Sequence, residues 1–230
     1  MTDGPRLVLF DCDGTLVDSQ FAIVEAMTVA FQSHDLVPPE AAEVRRLVGL
    51  PLGEVVARLA PEDGPLLSMV EVYKQTFREN RLAGRFEEPL FPGVREALDL
   101  LADAGYLLGV ATGKSRRGLD GVLERHDLAG YFLTLQTADD GPGKPSPHMV
   151  HRALAQTGAD RWNTVVVGDT SFDMLMAKAA GAGAVGVTWG YHVATDLLDA
   201  GADRLTDTFA AVPVAVDELM GKDDHCASVG

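Results

Sequence analysis

Leu7-Val8-Leu9-Phe10 places four apolar residues in a row, and Asp11 and Asp13 follow them directly. An unbroken apolar run of this length reads as a strand buried on both faces, as the inner strands of a parallel sheet are. Carboxylates at the end of such a strand are costly to bury without a cation or another partner. Gly14 permits a sharp backbone path behind them, and Thr15 adds a hydroxyl. Taken alone, an acidic pair after a strand is usually just an acidic turn. The case for chemistry rests on what the rest of the chain brings to the same place.

From Phe91-Pro92-Gly93 onward, short apolar runs alternate with helical patterns. The residues predict strands at 6–11, Tyr106–Thr112, Tyr131–Leu135, Thr164–Gly168 and Ala184–Val187, with a last short one at Asp203–Leu205. Helices are expected at Val94–Ala104, Ser115–His126, Pro147–Gln156, Phe172–Ala180 and Thr208–Met220. That order implies right-handed crossovers and an α/β fold, a Rossmann-like parallel sheet with helices on both faces. Residues 17–87 have another character. Phe21, Val24, Met27 and Phe31 recur at roughly helical spacing, Pro38-Pro39 breaks the pattern, and Leu52–Leu59 and Leu66–Leu82 resume it without a convincing strand. The expectation is a discontinuous core, residues 1–16 and 88–230, carrying an inserted all-helical cap domain at 17–87. Gly221–Gly230 reads as a loose tail.

Composition narrows the partners. A formal net charge of −15 over 230 residues argues against nucleic acid or an anionic membrane, both of which demand basic patches. It does not forbid an anionic substrate, because a metal and a few local lysines can reverse the field inside a cleft. No apolar run approaches the roughly 20 residues of a membrane span, and Met1–Gly4 lead straight into the first strand without the pattern of a leader. The two cysteines, Cys12 and Cys226, are no disulfide framework and fit a reducing compartment. The expectation is a cytoplasmic protein, monomer or homodimer, whose partner is a small molecule.

Ligands of open parallel sheets bind beyond the carboxyl ends of the strands. The first strand ends in Asp11 and Asp13, and Leu107–Ala111 leads into Thr112, Gly113 and Lys114. The loop after Tyr131–Leu135 carries Gly143-Lys144-Pro145. Val165–Val167 leads into Gly168-Asp169-Thr170, with Asp173 four residues past Asp169. The carboxylates are hard oxygen donors suited to Mg²⁺, and no Cys/His cluster has zinc spacing. Thr112 and Lys144 supply a hydrogen-bond donor and a cation for a phosphoryl group. One carboxylate can attack phosphorus and a second can move the proton, and the rest is positioning and charge neutralisation.

Asp11-Cys12-Asp13-Gly14-Thr15-Leu16, Thr112-Gly113-Lys114, Lys144-Pro145 and Gly168-Asp169-Thr170-Ser171-Phe172-Asp173 resemble, in order and spacing, the four motifs of the haloacid dehalogenase superfamily. The place of the helical insert resembles the subclass that contains phosphoglycolate phosphatase, β-phosphoglucomutase and pyrophosphatases. The resemblance implies Asp11 as nucleophile and Mg²⁺ ligand, and Asp13 as general acid/base with its carbonyl on the metal. It implies Thr112 on the phosphoryl oxygens, Lys144 neutralising Asp11 and the transferring group, and Asp169 and Asp173 on the metal and its water shell. Asp13 favours phosphate over halogenated substrates, since the dehalogenases lack this acid. The implied activity is a Mg²⁺-dependent phosphatase working through an aspartyl phosphate on a small phosphorylated metabolite such as 2-phosphoglycolate. The alternatives are a β-phosphoglucomutase-type phosphomutase and, from another class, a non-catalytic binding or regulatory protein on the same fold.

Other residues stay open at this stage. Gly113 and Lys114 could line the phosphate pocket, or Lys114 could be a solvated residue at a helix start. A Walker A reading fails because Leu108 stands where that motif needs its first glycine. Arg45 and Arg46, ahead of Val48–Leu52, could meet a second anionic group of the substrate or be exposed helix charges. Trp189-Gly190-Tyr191-His192 could border the site or form a packed aromatic turn. His148 and His151, three residues apart, read as a helix-surface pair, and Gly181–Gly186 as a helix stop and turn.

Overall fold

The computed structural model describes residues 4–221. The expected tail beyond Gly221, Cys226 within it, and Met1–Asp3 lie outside the described residues. Six strands form one all-parallel sheet: β1 (Leu7–Phe10), β2 (Leu107–Ala111), β3 (Phe132–Gln136), β4 (Thr164–Gly168), β5 (Gly183–Val187) and β6 (Arg204–Thr206). Their spatial order is β3-β2-β1-β4-β5-β6, so β1 lies between β2 and β4. The chain runs outward from β1 to β3 and then returns to the other side of β1. That reversal opens a crevice at the carboxyl ends of β1 and β4.

The apolar run of β1 is explained by the two faces it serves. Val8 and Phe10 point into one buried cluster, against α5 (Val94–Asp103), α6 (Arg116–Arg125) and α10 (Val212–Met220). Leu7 and Leu9 point into the other, against α7 (His148–Thr157), α8 (Ser171–Ala180) and α9 (Ala194–Asp199). Strand periodicity sends alternate residues to opposite faces, so a strand covered on both must be apolar throughout. Each such side chain removed from water contributes about 1.5–3 kcal/mol. The helices match with apolar residues three and four apart, as Leu119, Val122 and Leu123 do in α6.

Between β1 and α5 the chain forms only helices: α1 (Gln20–Gln32), α2 (Ala41–Arg45), α3 (Leu52–Leu59) and α4 (Leu66–Leu82). They enclose a third buried cluster, with Met27, Phe31, Val44, Val56 and Met69 at its centre. The outgoing and returning crossings are hydrogen-bonded to each other, Asp18 N–H to Pro89 O at 2.9 Å and Phe91 N–H to Leu16 O at 3.0 Å. Three glycines set how near the helical layer comes to the sheet's edge. A Cβ on Gly113 would meet Gly49 O at 2.7 Å, one on Gly143 would meet Pro51 Cγ at 2.4 Å, and Gly49 itself has φ +101°. Backbone therefore packs on backbone where Gly113 meets Gly49, and on the Pro51 ring at Gly143.

Most expected elements lie within a residue or two of their observed bounds. Three differ for physical reasons. The last strand is shifted by one residue to Arg204–Thr206, where it pairs with β5. The last helix starts at Val212 rather than Thr208, because Phe209–Ala211 form a 3-10 turn and Pro213 suits the first helical turn. Helix α9 was not expected, as Ala194–Asp199 is too short to show a helical period. Gly158 and Gly181, at φ +71° and +74°, end α7 and α8 in the left-handed conformation.

Candidate active site

Asp11 leaves the end of β1 with its side chain buried. Its Oδ1 accepts the Cys12 N–H at 2.6 Å and lies 2.8 Å from Lys144 Nζ. Lys144, carried on the loop after β3 beside a cis peptide to Pro145, is fully buried and sits 2.6 Å from Asp173 Oδ1. The other oxygen of Asp173 accepts from the Thr170 hydroxyl at 2.6 Å and from Thr170 N–H at 3.1 Å. This is the capping box of α8, so the bonds that start the helix also fix a charged group at the crevice. Asp169, at the end of β4, accepts from Thr15 Oγ at 2.8 Å and from Tyr191 N–H at 2.8 Å.

The electrostatics of the cluster are unbalanced. Oxygens of Asp11, Asp169 and Asp173 lie within 4.8 Å of one another, and one ammonium, Lys144, pairs with two of them, Asp11 and Asp173. Burial, opposed by Lys144 and reinforced by Asp173, pushes Asp11 up to about 7. Burial, with Asp11 and Asp173 adding to it, drives Asp169 well above the ordinary carboxylate range against its bonds to Tyr191 and Thr15. Burial alone would lower Lys144, but Asp11 and Asp173 hold it above the usual lysine value. Asp11 Oδ2 is buried without a hydrogen-bond partner among the described residues. An orphaned carboxylate oxygen in an oxygen-only set with excess negative charge fits a hard divalent cation.

Asp13 points elsewhere. Its Oδ1 accepts from Lys114 Nζ at 2.5 Å and from the Ser19 hydroxyl. Its side chain is thus separate from the three-carboxylate group, and only its backbone carbonyl is left for the metal role the sequence suggested. Lys114 is not solvated, since its side chain is 9% exposed and lies 5.0 Å from the Phe77 ring centre. Burial would depress it, but Asp13 and then Glu88 hold it above the usual lysine value. Thr112 is buried at the end of β2, its N–H bonded to Gln136 O and its hydroxyl accepting Lys114 N–H at 3.2 Å. Gly113 leaves room there for the Gly49 carbonyl of the helical layer.

A cleft of about 1650 Å³ opens from Asp11, Asp13 and Thr112 between α4 and the start of α6. Tyr73 and Phe77, stacked at 6.0 Å, line its helical wall. Arg45 and Arg46 are not among its lining residues. Arg46 contributes only its carbonyl, bonded to His192 Nε2 at 3.0 Å. Arg78 on α4 and Arg117 on α6 do line the cleft, exposed, with side chains that make no hydrogen bond or ion pair among the described residues.

The Trp189–His192 turn does more than pack. Trp189 Nε1–H donates to Thr15 O at 3.2 Å, Tyr191 holds Asp169, and a Cβ on Gly190 would lie 2.2 Å from Asp169 Cβ. His192 Nδ1 accepts Ser171 N–H at the start of α8, which leaves Nε2–H to donate to Arg46 O. Ser19, Thr15, Thr170 and Glu88 all shape the site; of these the sequence draws attention to the Thr15 hydroxyl, and Ser19, Thr170 and Glu88 are assigned no role there. Of those three, Thr170 carried a signal, as a hydroxyl three residues before an acid. His148 bonds to Asp140 O at 3.2 Å through a ring nitrogen.

Residues 8–187 match the haloacid dehalogenase-like hydrolase family. The chain is 40% identical over 221 residues to a probable phosphatase, IndB, of Dickeya dadantii, covering 93% of this chain and 94% of that one. It is 32% identical over 221 residues to a phosphoglycolate phosphatase of Neisseria meningitidis serogroup A, with 94% of both chains covered. Among solved structures, a haloacid dehalogenase-like family hydrolase from Streptococcus pneumoniae superposes with a TM-score of 0.81 at 27% identity, covering 92% of this chain and 98% of that one.

Proposed function

The chain belongs to the haloacid dehalogenase-like hydrolases, and from that premise we propose that it is a phosphatase that cleaves small phosphorylated metabolites through an aspartyl phosphate on Asp11. The observation that carries the reading is the partnerless, buried Oδ2 of Asp11, set among Asp169, Asp173 and Lys144 at the sheet's crevice. A Mg²⁺ ion held by Asp11, Asp169, Asp173 and the carbonyl of Asp13 would neutralise charge as the phosphoryl group transfers. Residues 17–87 act as a cap over a core of 1–16 and 88–230. The buried free thiol of Cys12 fits a reducing, cytoplasmic setting.

In the first half-reaction a carboxylate oxygen of Asp11 bonds to phosphorus while the ester oxygen leaves, and Asp13 gives that oxygen its proton. In the second, Asp13 takes a proton from a water molecule whose oxygen attacks phosphorus. The Asp11–phosphorus bond breaks and inorganic phosphate leaves. Lys144 offsets negative charge on Asp11 and on the group in flight, while Thr112 orients the phosphoryl oxygens.

2-Phosphoglycolate is the leading substrate, supported by the phosphoglycolate phosphatases among the relatives. Its carboxylate would meet Arg78 or Arg117 on the cleft wall. The test is phosphate release with and without Mg²⁺ over a panel of phosphomonoesters that includes 2-phosphoglycolate. Mg²⁺-dependent release that Asp11→Asn abolishes is the expected result. Substantial turnover by Asp11→Asn would sink the aspartyl-phosphate route, and broad weak hydrolysis would discard 2-phosphoglycolate alone.

A further inference from the structure

Glu88 closes the returning crossing, one residue before Pro89, and it is buried with a positive φ of +42°. A non-glycine residue in that conformation is held there by its surroundings. Its carboxylate takes Arg81 of α4 in a fork, Nε to Oε2 at 2.9 Å and Nη2 to Oε1 at 3.1 Å. Arg81 continues to Gly118 O in α6 at 3.0 Å. From the core side, Arg125 Nη1 lies 4.0 Å from Oε2, and His126 Nε2 bonds the Glu88 carbonyl at 2.9 Å. Oε1 also faces Lys114 Nζ at 3.6 Å, and that same ammonium holds Asp13 at 2.5 Å.

Lys114 therefore stands between two carboxylates, one at the site and one in the crossing. Its freedom is limited further by the Phe77 ring beneath it. Without the Glu88 charge, Arg81 loses its fork and Lys114 loses one of its two carboxylates, leaving Asp13 as its one ion-pair partner among the described residues. Lys114 then has one anchor in place of two, and the position of Asp13 depends on an ammonium that is less tightly held.

We propose that Glu88 is a positioning residue of the reaction: by anchoring Arg81 and Lys114 together, it fixes Lys114 on Asp13 and so places the acid/base carboxylate for proton transfer. The proposal rests on the phosphatase reading above. Glu88 touches neither Asp11, Lys144, Asp169 nor Asp173, so the phosphate cradle itself is left alone when it is altered.

The experiment is a double-mutant cycle of Glu88→Gln and Lys114→Met on Mg²⁺-dependent hydrolysis of p-nitrophenyl phosphate, with Asp11→Asn as control. Glu88→Gln is expected to lower kcat by about tenfold or more with KM within about threefold, the pattern of lost proton-transfer geometry. In the Lys114→Met background the same change is expected to cost less than about threefold, since the two act as one unit. Glu88→Asp, which keeps the charge, should recover part of the loss, and it replaces the glutamine variant in the cycle if that one does not fold. A raised KM at unchanged kcat, or full losses that multiply in the double variant, would overturn the proposal. A second readout is the ¹H–¹⁵N signal of the Lys114 ammonium, assigned by its absence in Lys114→Met. Its loss in Glu88→Gln, with the Lys144 signal retained, supports the anchor, and its persistence refutes it. If the unaltered protein hydrolyses no phosphomonoester, the phosphatase reading falls and the ammonium signal still decides whether Glu88 anchors Lys114.

Discussion

Lys144 Nζ lies 2.8 Å from Asp11 Oδ1, with both side chains fully enclosed. A buried pair of this kind is costly to form, and removing one partner is costlier than forming it, because the survivor is left charged in a poor solvent. Here the survivor would have company, since Asp173 shares the same ammonium at 2.6 Å.

Lys144→Met should therefore destabilise the Mg²⁺-free protein by about 3–5 kcal/mol near neutral pH, and abolish turnover. Part of that stability should return on adding Mg²⁺, which supplies the missing positive charge. Thermal unfolding with and without EDTA is the measurement. An unchanged melting temperature would show that the ammonium is not the counter-ion of this cluster.

The pH dependence carries a definite sign. Asp11 is raised from 3.8 to about 7 in the folded protein, so folding favours its neutral form. That contribution is fully present below about pH 4 and is lost as pH rises through about 7. Without metal, the difference in melting temperature between the unaltered protein and Asp11→Asn should shift against the unaltered protein between pH 5 and 8. Mg²⁺ should stabilise the unaltered protein more as pH rises, because it needs the ionised carboxylates. Parallel curves for the two proteins would contradict the assignment.

Gly190→Ala tests the turn behind Asp169. The added methyl would fall 2.2 Å from Asp169 Cβ, well inside contact distance, so the turn or the aspartate must move. The expected outcome is at least about tenfold weaker Mg²⁺ binding by calorimetry, the scale on which supporting residues act at metal sites. Equal affinity would mean that the turn yields without disturbing the carboxylate.

Arg45→Ala and Arg46→Ala should leave kcat and KM for 2-phosphoglycolate within about twofold, since neither residue lines the cleft. Arg117→Ala should raise KM by about tenfold, the loss of one exposed charge-assisted contact. The reverse result, with Arg45 or Arg46 controlling KM, would require a closer approach of the α2 end to the crevice than the structure has.

How far the sequence reveals this molecule depends on the range over which each feature is decided. The strands are legible because a doubly covered strand must be apolar along its whole length. The groups at the strand ends are legible as a set because parallel topology sends every carboxyl end to one edge. Glu88 and Ser19 are not legible, since their partners, Lys114 and Asp13, are fixed by how the chain crossings pack. Before the structure, Glu88 is one of two adjacent acids ahead of a proline, and its neighbour Glu87 is exposed. Lys114 could be read either way for the same reason: whether a lysine at a helix start meets water or two carboxylates depends on a segment far from it in sequence. Arg45 and Arg46 are open in the sequence for a related reason: it places them ahead of Val48–Leu52, and only the packing shows that neither lines the cleft.

The glycine seam between the helical layer and the sheet has an evolutionary consequence. Where Gly49 meets Gly113, and Gly143 meets Pro51, the distance of approach is set by main-chain atoms and a proline ring. Variation elsewhere on the helices can alter which molecule is admitted without changing how closely the two parts come together. Recognition and docking can then drift independently in descendants of this chain, provided the three glycines are kept.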